Sequence, residues 1–421
     1  MSPVFSTRPW LALSSLGLWA TTALAAPADL VLKLDTHWGR DNNPYRFPQD
    51  APVPPVLGSH ERGSGGAQQV LEAVAHVPLL SEQTRLVLST KLANFQYSDR
   101  PELDHHEGEG DVRLQWRMGP LWQAELQHDR SRSPYPFQDG SYLRLDTVRV
   151  ERSAATLVFE PSPQWAVPAS VQRLSRRHED LRVHGVLDRQ EEAAQVALRY
   201  TSPTGSQALL GYKTTHTQFP SRTPEQLAVL DGRWQEQHLF ADVEWYASLQ
   251  TRLGARVGRL HRRYETLSDR DFSKFTTELR LTHFYSPKLR IDLDAWNLPK
   301  ETNDIATLYS QSRGLRGSFG WQVDDKFRVS MKFIDETQHY IGARGSPIES
   351  NASLSTRSLG GRIQYSITRE LKTYVDVFRE RQVRSNLASD ITQTIVRVGL
   401  SYTFENIEGA QKRTGFILRQ P

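Results

Sequence analysis

The chain of 421 residues has no cysteine and only three methionines. Disulfides and thiolate metal sites are therefore excluded as sources of stability. A thiol-free chain also suits passage through an oxidising compartment. Long hydrophobic runs are missing too: after residue 30 nothing approaches the roughly 18 apolar residues that a spanning helix needs. Mean hydropathy is low, at −0.56. Charge of one sign is scarce, because 52 Lys+Arg against 48 Asp+Glu leave a formal net charge of +4. Spread over this length, without a basic tract studded with aromatics, that balance argues against nucleic acid as a partner. Heptads and helical repeats are absent, and no Gly-x-Ser-x-Gly elbow or other catalytic set can be assembled from chain order.

What is present is a rhythm. Very short turn-like breaks stand at Pro78 to Gln83, Gly119-Pro120, Pro161-Ser162-Pro163, Ser202 to Gly205, Ala247-Ser248, Ser286-Pro287, Val323 to Asp325 and Thr368-Arg369. Longer polar stretches near 39–67, 96–109, 129–146, 175–190, 215–233, 261–274, 298–311, 337–353 and 380–391 alternate with them. Short turn, long loop, short turn is the signature of an all-β transmembrane antiparallel barrel with short periplasmic turns and long extracellular loops. Such a barrel needs no apolar run, since half of every strand faces a polar lumen.

The first residues read as a targeting segment. Arg8 lies in a short n-region, Leu11 to Leu24 form a mostly apolar h-region, and Ala23-Leu24-Ala25 supplies an A-x-A site. The expected organisation is a signal peptide over 1–25, a barrel over 26–404 and a periplasmic tail over 405–421. The expected location is the outer membrane of a Gram-negative bacterium.

Alternation is sharpest in the second half. Leu239, Ala241, Val243 and Trp245 share one face against Asp242 and Glu244. Leu289, Ile291, Leu293 and Ala295 oppose Arg290, Asp292, Asp294 and Trp296, while Phe327, Val329, Met331 and Phe333 oppose Arg328, Ser330 and Lys332. Charges at every second position cannot face lipid, so the charged face must be the lumen. Counting all such segments gives about eighteen strands, an even number that puts both termini on the periplasmic side. A soluble β-sandwich would alternate as well, but it would not separate turn and loop lengths so regularly.

Aromatics near strand ends (Trp245, Tyr285, Trp321, Tyr365, Tyr402 and Phe404) fit an interfacial girdle. Val396, Val398, Leu400, Tyr402 and Phe404 share a face and close the last strand on an aromatic, as barrel-assembly signals do. The partners expected on these grounds are outer-membrane lipid and the barrel-assembly machinery.

The inward parity is rich in arginine. The candidate lumen residues are Arg256, Arg280, Arg290, Asp292, Asp294, Trp296, Arg316, Arg328, Arg362 and Arg397. Excess guanidinium would attract anions or acidic sugars. The alternative is that these charges pair across strands and neutralise one another. Arg280, Arg290, Arg316, Arg328 and Arg362 fall on consecutive strands and could form one ladder. Asp104 to Glu109 offers hard and imidazole ligands, though a solvated acidic loop is the commoner use of such a run. Neither a cofactor nor a resident metal is expected, and no catalytic residues are assigned.

The run Leu34 to Trp38 followed by Gly39-Arg40-Asp41-Asn42-Asn43-Pro44-Tyr45-Arg46-Phe47 resembles the opening of the EpsL-like outer-membrane barrels encoded in exopolysaccharide operons. Whole-chain organisation is similar as well: a signal, a roughly 400-residue barrel, and no soluble domain. The resemblance implies a non-enzymatic channel exporting an exopolysaccharide, with the polymer and periplasmic export proteins as partners. The alternative is a general or anion-selective diffusion porin.

Overall fold

The computed structural model describes residues 28–57, 61–79, 81–137, 142–181, 185–300, 309–341, 352–385 and 390–410. The expected signal peptide and most of the expected tail lie outside the described residues. Eighteen strands follow one another as β1 (Asp29–Asp41), β2 (Ser64–Leu79), β3 (Ser81–Tyr97), β4 (His105–Met118), β5 (Trp122–Pro134) and β6 (Thr147–Phe159). Next come β7 (Trp165–His178), β8 (Arg189–Thr201), β9 (Gln207–Gln218), β10 (Arg233–Tyr246), β11 (Thr251–Tyr264) and β12 (Phe272–Ser286). The last six are β13 (Leu289–Lys300), β14 (Tyr309–Gln322), β15 (Phe327–Ile341), β16 (Ser353–Ser366), β17 (Leu371–Arg384) and β18 (Ile391–Glu405).

Each strand pairs antiparallel with its sequence neighbours, and β1 pairs with β18 from Val31↔Glu405 to Asp41↔Ile395. The sheet is thus a closed barrel without a free edge, which is the condition for crossing a bilayer with strands. Its connections keep the rhythm read from the sequence. At one end they are tight, and Gly119 (φ 64°) and Gly205 (φ 86°) supply left-handed backbone in two of these turns. At the other end they are long: L1 (42–63), L2 (98–104), L3 (135–146), L4 (179–188), L5 (219–232), L6 (265–271) and L9 (385–390), with 301–308 and 342–352 completing the set. L5 carries one short helix, α1 (Pro224–Leu230), opened by a Thr223/Gln226 capping box.

The outer wall is apolar where lipid must lie. Leu34, Trp38, Val171, Leu210, Leu239, Val243 and Leu279 are each about half exposed, side by side on the outward parity. No water-soluble chain could leave such a band uncovered. On β7 the outward residues run Trp165, Val167, Ala169, Val171 and then Arg173; on β17 they run Leu371, Thr373, Val375, Val377 and then Arg379. Eight residues at about 3.3 Å each, tilted by about 40°, span roughly 20 Å, close to the apolar band of known outer-membrane barrels. A girdle of cross-strand aromatic pairs marks the periplasmic edge: Trp122–Phe159 at 4.7 Å, Trp165–Tyr200 at 5.0 Å and Phe327–Tyr365 at 4.8 Å.

The beginning of the tail takes up a definite position. Asn406 accepts from Leu30 N and donates to Ala28 O, and its own N–H reaches Leu30 O. Four residues later Ala410 is buried against Val31 and Val74, both on the inward parity of their strands. This part of the tail therefore folds into the periplasmic mouth.

Candidate functional site: the lumen wall and its loop clusters

All ten candidate residues project inward, because they share strand parity with buried lumen neighbours and alternate with the exposed apolar wall. Strand register then decides their partners. Asp242 receives both Arg256, at 2.6 Å, and Arg280, at 2.5 Å. Arg290 holds Asp292 at 2.8 Å, and Arg316 holds Asp294 at 3.0 Å. Asp376 takes Arg362 at 2.8 Å and Arg397 at 3.9 Å. Four of the five ladder arginines are thus ion-paired, Arg290 within its own strand and the others across strands, although Asp242 and Asp376 each serve two arginines. Arg328 stands apart, with no carboxylate within ion-pair distance among the described residues.

Trp296 also points inward, but it packs flat on Gly314, where any Cβ would overlap the ring. Its indole N–H donates to Ser312 Oγ at 2.7 Å, and Lys300 sits 5.4 Å above the ring. One face is therefore spent on the wall, leaving only the other for a passing solute.

The sequence reading left Lys332, Lys372 and Arg85 out of the candidate set. Lys332 of β15 lies within electrostatic reach of Arg316 and Arg362, and Lys372 of β17 within reach of Arg328 and Lys33. Neither lysine has an acidic partner among the described residues, and Arg85 on the inward parity of β3 likewise has none. Their parity was readable in the sequence. Their lack of partners was not, because it depends on which strand positions align. Among the described residues the inward acids Glu278 and Asp41 also lack a cation within 4.0 Å, so the imbalance is positive but not one-sided.

Loops pack together at the extracellular mouth in two sectors. L1 is built by the motif that carried the resemblance. Asn43 accepts from Phe47 N and donates to Phe47 O and Thr392 O, while Asn43 N donates to Asp41 Oδ1. Arg46 adopts left-handed backbone (φ 56°) and ion-pairs with the inward-facing Glu380 at 3.1 Å. Tyr45 and Phe47 are buried with Leu103 of L2, against Phe137 and Leu143 of L3. Tyr45 donates to Glu102 at 2.7 Å; burial first and this hydrogen bond second push its ionisation well above the ordinary phenol range. Arg100 is fully buried beneath the same cluster and donates to Leu57 O and Glu61 O.

The second sector joins L4, L5 and L6. Arg222 lies 3.5 Å from the centre of the Phe219 ring and donates to the carbonyls of Val186, Leu230 and Asp231. Burial lowers its pKa to about 10, so it stays charged at neutral pH. Asp231 accepts the N–H groups of Gly232, Arg233, Thr266 and Leu267. Burial alone would raise its pKa, but these bonds outweigh that and hold it below the usual range.

The acidic run Asp104 to Glu109 is only partly a loop. Asp104 accepts from Tyr97 N, His105 stacks on Phe95 at 4.3 Å, and His105 to Glu109 belong to β4. Among the described residues no cluster of three metal-ligating side chains occurs.

No protein-family model matches the chain, and no curated relative is found. Solved structures do match. Pseudomonas aeruginosa OccK2 (OpdF) is 10% identical with a TM-score of 0.50, the match covering 91% of this chain and 100% of that one. The outer membrane protein OprD of the same organism is 9% identical, at a TM-score of 0.47 over 90% of this chain and 94% of that one. The siderophore receptor PirA from P. aeruginosa is 11% identical, at 0.46 over 91% and 80%. At such identity the likeness to OccK2 speaks for architecture alone. None of them supports the resemblance to exopolysaccharide-operon barrels, whose motif here builds L1. Closed barrel, lipid-facing wall and shared architecture together make this chain a β-barrel of the Gram-negative outer membrane.

Proposed function

We propose that the protein is a non-enzymatic diffusion channel that favours small anionic solutes. The observation carrying this reading is the group of inward cations Arg328, Lys332 and Lys372, which lack carboxylate partners among the described residues while most other lumen charges are paired. A barrel of about 18 strands leaves an aqueous lumen, and unpaired charges on low-dielectric walls bias which ions enter it. Paired arginines contribute little net field beyond their acids. L1 is anchored on the wall at the inward Glu380 and at Thr392 O, an arrangement that favours small solutes over a polymer, and export of an exopolysaccharide has no structural feature in its favour.

The test is a reversal potential across a planar bilayer under a KCl gradient. Wild-type channels should prefer chloride, and Arg328→Gln/Lys332→Gln/Lys372→Gln should lose most of that preference. The paired double variant Arg362→Gln/Asp376→Asn should leave it nearly unchanged. A wild-type channel without anion preference overturns the proposal.

A further inference from the structure

The outer wall carries a charged feature that passage through the lumen does not use. Arg132 of β5, Arg149 of β6 and Arg177 of β7 stand directly opposite one another across two strand pairs, all on the outward parity. Like charges placed this way destabilise a bare sheet. Glu179 answers Arg132 with bonds of 2.9 and 3.1 Å. Lower on the wall, Arg130 has Glu151 at 3.3 Å and Arg173 has Glu192 at 3.9 Å. Arg149 and Arg177 are exposed and have no acidic partner among the described residues.

Height and shape say what could answer them. Counting up from Trp122, Phe159 and Trp165 at the periplasmic girdle, the row lies ten to twelve residues away. That is about 25–30 Å along the membrane normal, above the roughly 20 Å apolar span that ends at Arg173 and so at headgroup height. Leu181 and Pro220, from the loops above, help to line a cleft of about 430 Å³ with Arg149, Ser175, Arg177 and Gln190. The carboxylates Glu179 and Asp188 also border it, already engaged with Arg132 and with His178 N and Ser221 respectively. Below the row the outward positions are first polar, Glu151 and Ser153 on β6 and Ser175 and Arg173 on β7, and the apolar stripe of Ala155, Leu157, Ala169 and Val171 begins about six residues down. A ligand with an anionic head in the cleft and acyl chains beneath it would match both.

We propose that this cleft binds the phosphate-bearing headgroup of an outer-leaflet glycolipid, clasped by Arg149 and Arg177. Two guanidiniums recognise phosphate oxygens bidentately, which an ammonium does not. Ser175 adds a hydroxyl donor, and Arg132, already held by Glu179, closes the row. The lipid source is favoured over free phosphate by the apolar stripe under the site. The proposal is independent of what crosses the lumen.

The test uses the full chain folded in detergent and lipid A bearing two phosphates, titrated in mixed micelles. Wild-type protein should bind it, and enzymatically dephosphorylated lipid A should bind about tenfold more weakly or worse. Arg149→Ser/Arg177→Ser should show the same loss while keeping heat-modifiable mobility and unchanged conductance. Should that variant fail to fold, Arg149→Lys/Arg177→Lys keeps the charge without the fork and should still weaken binding. Equal binding by the variants, or by the dephosphorylated lipid, overturns the proposal. So does complete displacement of the lipid by millimolar inorganic phosphate, which would make the site one for free anions.

Discussion

Asp231 shows what one buried carboxylate does for a loop. Its side chain is almost wholly enclosed, yet it collects four backbone N–H groups from L5, the first residue of β10 and L6, at the position where its own φ of 59° turns the chain. Hydrogen bonds to a charged acceptor are each worth about 1.5–3 kcal/mol. Asp231→Ala should therefore speed amide exchange at Thr266 and Leu267 by about 10- to 100-fold, read by hydrogen-exchange mass spectrometry, while strand amides stay protected. Because its folded pKa is depressed, the stabilisation is present above the ordinary carboxylate pKa of about 3.9 and is lost as pH falls through the lower folded value. Unchanged exchange in the variant would show that Arg222 alone holds the loops. None of this was legible in the sequence, where Asp231 is one acid among many in a polar stretch. Lumen parity was legible, since Arg280, Asp292 and Arg316 alternate with apolar residues. Their pairing was not, because Arg280 meets Asp242 only through the β10–β11–β12 register.

Strands and loops were legible to different depths. The periplasmic halves were clear, because lipid-facing residues there are uniformly apolar. The extracellular halves run further than the sequence shows: the polar stretch expected from 380 is still strand in β17 as far as Arg384. Outward positions such as Arg379 and Arg381 are polar there, since they rise above the hydrocarbon, and two-faced polarity hides a strand from any alternation count. L1 had the opposite fate. Its motif was conspicuous and was read through resemblance, whereas its contacts show a folded lid fixed by Asn43, Tyr45 and Arg46. Tyr45→Ala removes the aromatic at the centre of that cluster, a truncation that costs about 3–5 kcal/mol for a large core side chain. The expected outcome is a larger single-channel conductance with strand protection intact. An unaltered conductance would mean that L1 does not restrict the mouth.

The whole molecule depends on one seam, where β18 meets β1 and closes the sheet. Phe404 and Tyr402 lie on its lipid face, and Leu32↔Phe404 and Leu34↔Tyr402 are cross-strand neighbours. A carboxylate on that face near the membrane boundary costs little as a charge, but it breaks the terminal aromatic pattern by which such barrels are assembled. Phe404→Asp should therefore block insertion, seen as loss of the heat-modifiable band. The tail divides into two parts by its contacts. Residues 406–410 fasten the seam from the periplasmic side, through Asn406 to Leu30 and through Ala410 onto Val31 and Val74. Deleting 411–421 should leave assembly intact, while deleting 406–421 should give a barrel that inserts but loses its heat-modifiable form at a lower temperature. A hydrogen-bonded bracket and one small buried side chain account for about 1–3 kcal/mol, enough to shift unfolding without preventing closure of eighteen paired strands. Failure of the 411–421 deletion to insert would make the terminal segment part of the assembly signal and move that signal off β18.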